Sequence, residues 1–168
     1  GTQQRRAVYD LWTPQPAPVV PRERCHEVRG RIGPDGTEVV PLDEDGVVAV
    51  ARTLREQGVE AVAVVLLFSF VNAGHEERVA AILAEELPGV QVALSSRVAP
   101  EFREYLRAST TALNATLLPV AGSYVRRLSQ RLEEDGAGAP LHLMQSNGGV
   151  ATADTAAELP VGLVASGP

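Results

Sequence analysis

Residues 61–68 read Ala-Val-Ala-Val-Val-Leu-Leu-Phe and are apolar without interruption. A run of this kind predicts a strand covered on both faces, as in a parallel sheet. Before it, Asp43 or Asp45 caps a predicted helix that ends at Gly58. The apolar face of that helix consists of Val47, Val50, Ala51 and Leu54.

A second helix and a second strand follow. Residues 72–77, Asn-Ala-Gly-His-Glu-Glu, open the helix, Pro88-Gly89 closes it, and residues 90–94 form the next predicted strand. Strand, helix and strand in this order make a βαβ unit, so the predicted fold class is α/β, with a βαβ layer in a parallel or mixed sheet. We expect at least two parallel neighbours for the first strand, and we expect buried side chains at Val64, Leu66 and Val79.

The flanking regions divide the rest of the chain. We predict a proline-rich arm over residues 1–26, an α/β subdomain with a hairpin over 27–96, a helical segment over 97–140, and a strand and glycine-turn region over 141–168. The hairpin pairs Glu27–Ile32 with Glu38–Val40 across the turn Gly33-Pro34-Asp35-Gly36. Both chain ends read as cuts inside a longer polypeptide.

Residues 97–134 predict nearly continuous helix, restarted at Pro119. The expected apolar face of its first part is Phe102, Tyr105, Leu106, Leu113, Leu117 and Leu118. The second part is expected to present Tyr124, Val125, Leu128 and Leu132.

Composition excludes several classes of function. All 15 basic residues are arginines, so no lysine is present for a Walker-type phosphate site, a Schiff base or a general base. The formal charge of −6 argues against nucleic acid as a partner. No apolar run reaches the roughly 20 residues that span a bilayer. Cys25 is the single cysteine, so we expect no internal disulfide, no metal site and a cytoplasmic location.

Two junctions between a strand and glycines are the first candidates for chemistry. Residues 141–144 lead into Ser146-Asn147-Gly148-Gly149, and residues 161–164 lead into Ser166-Gly167-Pro168. Ligands of α/β sheets bind beyond the carboxyl ends of strands, where glycine amides can approach them. The first junction could cradle an anion, but from the spacing alone a tight turn that needs positive φ is the favoured interpretation. We expect positive φ at Gly148 or Gly149, with amides that face a concave surface.

The helical segment carries a second set of candidates. Ser109-Thr110-Thr111 and Asn114 form a polar stripe, which fits a helix cap as well as a surface that faces a ligand. Arg107 and its charged neighbours fit an exposed helix surface, and a paired carboxylate at Glu101 and Glu104 is the alternative. No Ser-His-Asp set can be assembled, and no catalytic residue is identified.

Several runs together resemble one family. They are residues 60–70, residues 95–100, the pattern Arg-Glu-Tyr-x-Arg-x-Ser-Thr-Thr-x-x-Asn-Ala over 103–115, Gln-Ser-Asn-Gly-Gly over 145–149, and Ser-Gly-Pro over 166–168. In this order they are similar to the large-subunit type of the hydantoinase/oxoprolinase family. That family includes N-methylhydantoinases, 5-oxoprolinases and acetone-type carboxylase subunits.

The resemblance implies part of an actin-like ATPase lobe of the ribonuclease H-like type, with a second lobe missing. It implies ATP and Mg in the parent enzyme, which phosphorylates the oxygen of a cyclic amide such as a hydantoin or 5-oxoproline so that water opens the ring. Carboxylase relatives act instead on a ketone or on bicarbonate. The Asp-x-Gly-Gly-Thr loops that grip ATP in this family are missing here, so we expect the segment alone to be inactive and to hold no cofactor.

The resemblance also orders the candidates. The lining of a nucleotide or substrate cleft is expected first at Ser146, Asn147, Gly148 and Gly149, second at Ser166 and Gly167, and third at Arg107, Thr110, Thr111 and Asn114. The implied partners are a cyclic amide substrate and a second enzyme subunit or domain. The alternative is a non-catalytic lobe whose motifs serve packing and subunit contact.

Overall fold

A computed structural model describes Trp12, residues 17–136 and residues 139–164. The helices there are α1 (Glu44–Glu56), α2 (Gly74–Glu86), α3 (Ser95–Val98), α4 (Glu104–Leu117), α5 (Ser123–Glu134) and α6 (Ala153–Glu158). The strands are β1 (Arg31–Ile32), β2 (Glu38–Val40), β3 (Ala61–Val64), β4 (Gln91–Leu94), β5 (His142–Met144) and β6 (Val150–Thr152). Turns of 3-10 helix cover Arg22–Arg24 and Pro160–Leu163, and a π-helical turn, Leu118–Gly122, joins α4 to α5.

The predicted βαβ unit is confirmed by a parallel pair of strands. β3 and β4 run in register from Ala61 opposite Gln91 to Val64 opposite Leu94, with α2 as the crossover. Valines and leucines on one face of the pair pack with α1 and α2, whereas the alanines of the other face pack with the end of α4. The result is a layer of strands between helices, in a mixed α/β fold.

The main core lies between α1, α2 and this strand pair. Asp43 caps α1, because its Oδ1 accepts a hydrogen bond from the Gly46 amide at 3.0 Å. The helix stops before Gly58, which has φ +62°. The buried side chains of the core are Val47, Ala51, Leu54, Val64, Val79, Ile82, Leu83, Leu87 and Leu94. Each large one contributes about 1.5–3 kcal/mol.

The strand predicted over residues 61–68 ends early. β3 stops at Val64, Leu66 is half-buried rather than buried, and Phe68 has φ +57°. The reason is that both polar groups of the Leu66 backbone bond to side chains, so the chain turns away from the sheet. Among the described residues β3 has β4 as its one neighbour, so the expected second neighbour is wrong for this part of the chain.

The hairpin is confirmed with a shorter first strand. β1 and β2 are antiparallel around residues 33–36, where Gly36 has φ +83°. β1 covers Arg31–Ile32 only, so the predicted strand from Glu27 begins too early.

The helical segment shows the largest difference from the sequence prediction. Residues 99–103 interrupt it before α4. The apolar face that we predicted is mostly exposed: Phe102 65%, Tyr105 64%, Leu106 45% and Leu113 43%, whereas Leu118 is buried. The buried face of α4 instead carries Arg107, Thr111, Asn114 and Ala115. In the second part Val125 is buried and Tyr124 is exposed.

The C-terminal part is a second, smaller packing unit. β5 confirms the strand predicted at 141–144 and pairs antiparallel with β6. The strand predicted over 161–164 is wrong, because Pro160–Leu163 forms a 3-10 turn that starts with proline. The small core here consists of Val125, Ala151, Ala156 and Ala157. No helix within the described ranges is long and apolar enough to cross a bilayer.

Candidate functional site

A buried polar cluster lies just beyond the carboxyl ends of β3 and β4, the position at which α/β sheets bind ligands. Its centre is Glu76, which has no exposed surface. Glu76 Oε1 accepts hydrogen bonds from the Leu66 amide at 2.9 Å and from Ser95 Oγ at 2.6 Å, and Oε2 accepts one from the Ser96 amide at 2.9 Å. Since Ser95 donates its one proton to Glu76, Ser69 Oγ donates to Ser95 Oγ at 3.0 Å. The carboxylate therefore fixes the segments that leave both strands.

Arg107 of α4 closes the cluster from the other face of the sheet. It is fully buried, and it donates to the Leu66 carbonyl and to the Glu101 carbonyl, both at 2.8 Å. Its guanidinium carbon lies 5.3 Å from the ring centroid of Phe70, within range of a cation–π contact. Nε of Arg107 has no hydrogen-bond partner among the described residues. Arg107 and Glu76 thus hold the two polar groups of one backbone residue, Leu66.

The sequence did not identify Glu76, Ser95 or Ser69 as site residues. The only local signal was an acidic residue in the first turn of α2, which ordinarily stabilises a helix N-terminus and faces water. The cluster arises because the loop after β3 and the start of α3 bring backbone amides to this carboxylate. Long-range contacts of this kind leave no periodic pattern in the sequence.

Two predicted residues of α4 are buried with their side chains in structural hydrogen bonds. Thr111 Oγ1 donates to the Arg107 carbonyl at 2.7 Å. Asn114 Nδ2 donates to the Glu158 carbonyl at 3.0 Å, and Asn114 Oδ1 accepts from the Val161 amide at 3.1 Å. Thr110, which lies beside them, is half-buried. Asn114 therefore joins α4 to the segment that follows α6.

The predicted glycine junction is the turn of the β5–β6 hairpin. Gly148 has φ +83°, as expected. Its amide donates to the Gln145 carbonyl at 3.0 Å, and the Gly149 amide donates to Asn147 Oδ1 at 2.8 Å. Both glycine amides are therefore used within the turn, as a tight turn requires. A role in lining a cleft stays a prediction for these residues.

Ser146 connects this turn to the same segment that Asn114 holds. The Ser146 amide donates to the Gly162 carbonyl at 2.8 Å, and the Ser146 hydroxyl shares its one proton between the carbonyls of Gly162 and Val164. The structure thus brings Asn114 and Ser146 to opposite ends of residues 158–164. The predicted candidates Ser166 and Gly167 lie outside the described residues.

The resolved pKa shifts all lie away from these candidates. The pKa of Asp35 in the β1–β2 turn is lowered by hydrogen bonds from the Thr37 hydroxyl and amide. The pKa of Glu44 is lowered and that of Arg78 is raised by their mutual hydrogen bonds at 2.8 and 2.6 Å, which join α1 to α2. In the described ranges no group of three or more His, Cys, Asp and Glu side chains could hold a metal ion.

Two open cavities flank the strand layer. One, of about 290 Å³, lies along β4 and includes the side chains of Arg97 and Arg126. The other, of about 330 Å³, lies between the β1–β2 region and the loop after β3, and it includes His26 and His75. His75 Nε2 is 2.7 Å from Glu38 Oε2, which ties α2 to β2. None of the eight predicted site residues that the structure describes lines either cavity.

Two family profiles match the sequence. The profile of the hydantoinase/oxoprolinase N-terminal region matches residues 1–87, and that of hydantoinase/oxoprolinase matches residues 107–168. Among curated proteins, the caprolactamase subunit alpha of Pseudomonas jessenii is 42% identical over 160 residues, a match that covers 95% of this chain and 23% of the relative.

Solved structures agree with the sequence matches. The crystal structure of the ATP-dependent caprolactamase from Pseudomonas jessenii superposes with a TM-score of 0.79 at 38% identity, over 96% of this chain and 24% of that one. A nucleotide-free acetone carboxylase structure superposes with a TM-score of 0.77 at 28% identity, over 90% of this chain and 22% of that one. The chain therefore spans about a quarter of the length of these relatives.

Proposed function

Since this chain belongs to the hydantoinase/oxoprolinase family, we propose that it is a segment of a longer ATP-dependent enzyme that opens cyclic amides. The observation that carries the proposal is the match to a caprolactamase over 95% of this chain in sequence and 96% in structure. A lactam is a cyclic amide, like the hydantoins and 5-oxoproline that the family resemblance implies. We infer that the segment is part of an actin-like ATPase lobe, and we place it in the cytoplasm.

The described residues supply a scaffold for such a site. Glu76 and Arg107 fix the loop after β3, and Asn114 and Ser146 fix residues 158–164 after α6. Two connecting segments are therefore held in place by buried or paired polar groups. A phosphoryl-transfer site needs loops that are held rigidly, because its catalysis depends on the positions of the reacting groups.

The residues present do not by themselves fit Mg and a triphosphate. The amides of Gly148 and Gly149 are donated inside their turn, so as folded this turn offers neither of them to a phosphate. ATP and Mg are therefore proposed for the longer polypeptide, and no step of the reaction is assigned to this segment.

Assay of the longer polypeptide, with its second subunit, tests the proposal. We expect phosphate release from Mg-ATP to be stimulated by caprolactam, a hydantoin or 5-oxoproline, and we expect the 168-residue chain alone to release none. Stimulation by acetone with bicarbonate, and by no cyclic amide, would assign the protein to the carboxylase branch and overturn the proposed substrate class. Substrate-stimulated release by the isolated chain would overturn the proposal that it is inactive alone.

A non-catalytic lobe is the second candidate, and the structural hydrogen bonds of Arg107, Thr111 and Asn114 favour it. Asn147→Ala in the longer polypeptide separates the two. If the turn faces the cleft, turnover falls more than stability does. If the turn is structural, the loss of activity follows the loss of folded protein.

A further inference from the structure

The helix α4 is amphipathic, but its apolar face is exposed and its polar face is buried. Its apolar side chains face outward, and its buried face consists largely of polar groups that have partners. We call the outward set the apolar stripe. It runs over about 28 Å from the start of α4 to the start of α5, at 1.5 Å per residue. Its exposed members are Phe102, which lies just before α4, and Tyr105, Leu106, Leu113, Val120 and Tyr124.

The serine and the threonine within the stripe already have hydrogen-bond partners in the helix. Ser109 Oγ donates to the Tyr105 carbonyl at 2.8 Å, and Thr116 Oγ1 donates to the Leu113 carbonyl at 2.7 Å. No charged residue lies between them on this side of α4, where the side chains fall within an arc of about 100°. The hydroxyl groups of Tyr105 and Tyr124 are the remaining donors of the stripe. A cover that offers acceptors at these two places and is otherwise apolar leaves no charge and no hydroxyl donor of the stripe unpaired.

Rotation of α4 cannot bury the stripe against the described residues. The opposite face is fixed by Arg107, whose two bonds reach Leu66 and Glu101, and by Asn114, whose two bonds reach Glu158 and Val161. Turning the helix would break all four and leave a guanidinium and an amide without these partners. Any cover for the stripe therefore comes from residues other than those that the structure describes.

We propose that the cover is the remainder of a longer polypeptide, so that the apolar stripe is an interface inside one chain. This proposal rests on the proposed function in one respect, that the chain is a segment of a longer protein. The relatives carry more than three times as much sequence as the part that this chain matches. An uncharged apolar centre is typical of permanent interfaces, whereas transient ones are more polar.

Thiol labelling can measure this cover directly. Tyr105→Cys and Leu113→Cys are introduced singly in a Cys25→Ser background, both in the 168-residue chain and in the longer polypeptide. Arg52→Cys, on the exposed side of α1, is the matched control. Labelling rates with a maleimide are divided by the rates of the same proteins in denaturant, which removes differences in intrinsic reactivity. Circular dichroism confirms that each variant is folded.

We expect both stripe cysteines to react rapidly in the 168-residue chain. In the longer polypeptide, as a dilute monomer without its partner subunit, we expect them to react at least about tenfold more slowly, since cover limits labelling to local opening. The Arg52→Cys control should change much less.

Three results would overturn the proposal. Equal rates in the short and long chains would show that the stripe is uncovered. Protection of the 168-residue chain that rises with its concentration would assign the stripe to a second copy, and protection only after the partner subunit is added would assign it to that subunit. Because labelling does not depend on turnover, failure here is distinct from failure of the proposed enzyme activity.

Discussion

Replacement of Glu76 by glutamine tests the account of the buried cluster most directly. The carboxylate accepts three hydrogen bonds with its two oxygens, and it has no exposed surface. Glutamine has nearly the same shape, but it has one acceptor oxygen and a donor group in place of the second oxygen. If the glutamine oxygen keeps the hydrogen bonds from the Leu66 amide and the Ser95 hydroxyl, the glutamine NH2 group faces the Ser96 amide. Both of these groups are donors, so no hydrogen bond forms between them.

The cost can be estimated bond by bond. Two bonds to a charged acceptor become bonds to a neutral one, and each loses roughly 0.5–1 kcal/mol; the third leaves a buried donor unpaired, at about 1–3 kcal/mol. The free energy of unfolding should therefore fall by about 2–5 kcal/mol in Glu76→Gln. A domain in the middle of the ordinary stability range, about 5–15 kcal/mol, remains folded after such a loss.

Urea unfolding followed by far-UV circular dichroism measures this difference. The single tryptophan, Trp12, is 92% exposed and would be a poor fluorescence probe. The control is Glu77→Gln, because Glu77 is the next residue of the same helix turn and is exposed. Glu77→Gln should change the free energy of unfolding by no more than about 0.5 kcal/mol. A Glu76→Gln protein no less stable than the control would refute the assignment of Glu76 as the acceptor that fixes both loops.

Three further predictions concern other parts of the chain. Arg107→Lys should lower the free energy of unfolding by about 2 kcal/mol in urea, because an ammonium group cannot reach both carbonyls; an unchanged midpoint would contradict this. Gly148→Ala should cost about 1 kcal/mol through its φ of +83° alone, since no atom lies within 4 Å of the added methyl group, and a gain in thermal midpoint would argue against the turn. The lowered pKa of Glu44 predicts that its ion pair with Arg78 stabilises the fold above the unfolded pKa and is lost as pH falls through the folded value. Urea titrations between pH 3 and 6 should therefore show less acid sensitivity in Glu44→Gln, and equal slopes would contradict it.

The sequence predicted the βαβ layer well because every element there has a local signal. The valine-rich run, the cap at Asp43 and the turn at Pro88-Gly89 are each decided by neighbours in sequence. The predicted end of β3 was wrong because it is decided by contacts that are distant in sequence. The next four residues, 65–68, are as apolar as those of β3. The backbone leaves the sheet here because Leu66 bonds to Glu76 and Arg107, which are distant in sequence.

The orientation of α4 could not be predicted from periodicity. A hydrophobic pattern assumes that apolar side chains face the core of the same chain, and here they face outward. The polar residues Arg107, Thr111 and Asn114 were identified as candidates, but the sequence did not show that backbone carbonyls 41 and 44 residues away would satisfy Arg107 and Asn114. The Gly148 turn was predicted as a turn, and its partner strand β6 was missed, since Val150-Ala-Thr152 is too short to show alternation.

The unequal size of the two cores has a consequence for how the folded chain opens. The core of the βαβ layer contains eight large apolar side chains and one alanine, whereas the core under β5 and β6 contains one valine and three alanines. Because buried apolar area sets much of the free energy of partial opening, residues 142–163 should open as a cooperative unit while the strand layer stays closed. Amide hydrogens of β5 and β6 will then exchange far sooner than those of β3 and β4. The Val161 amide, which donates to Asn114 Oδ1 on α4, belongs to the part that opens. The glycine turn and residues 158–164 are thus held by the smaller of the two cores, and they keep their positions only while that core stays closed.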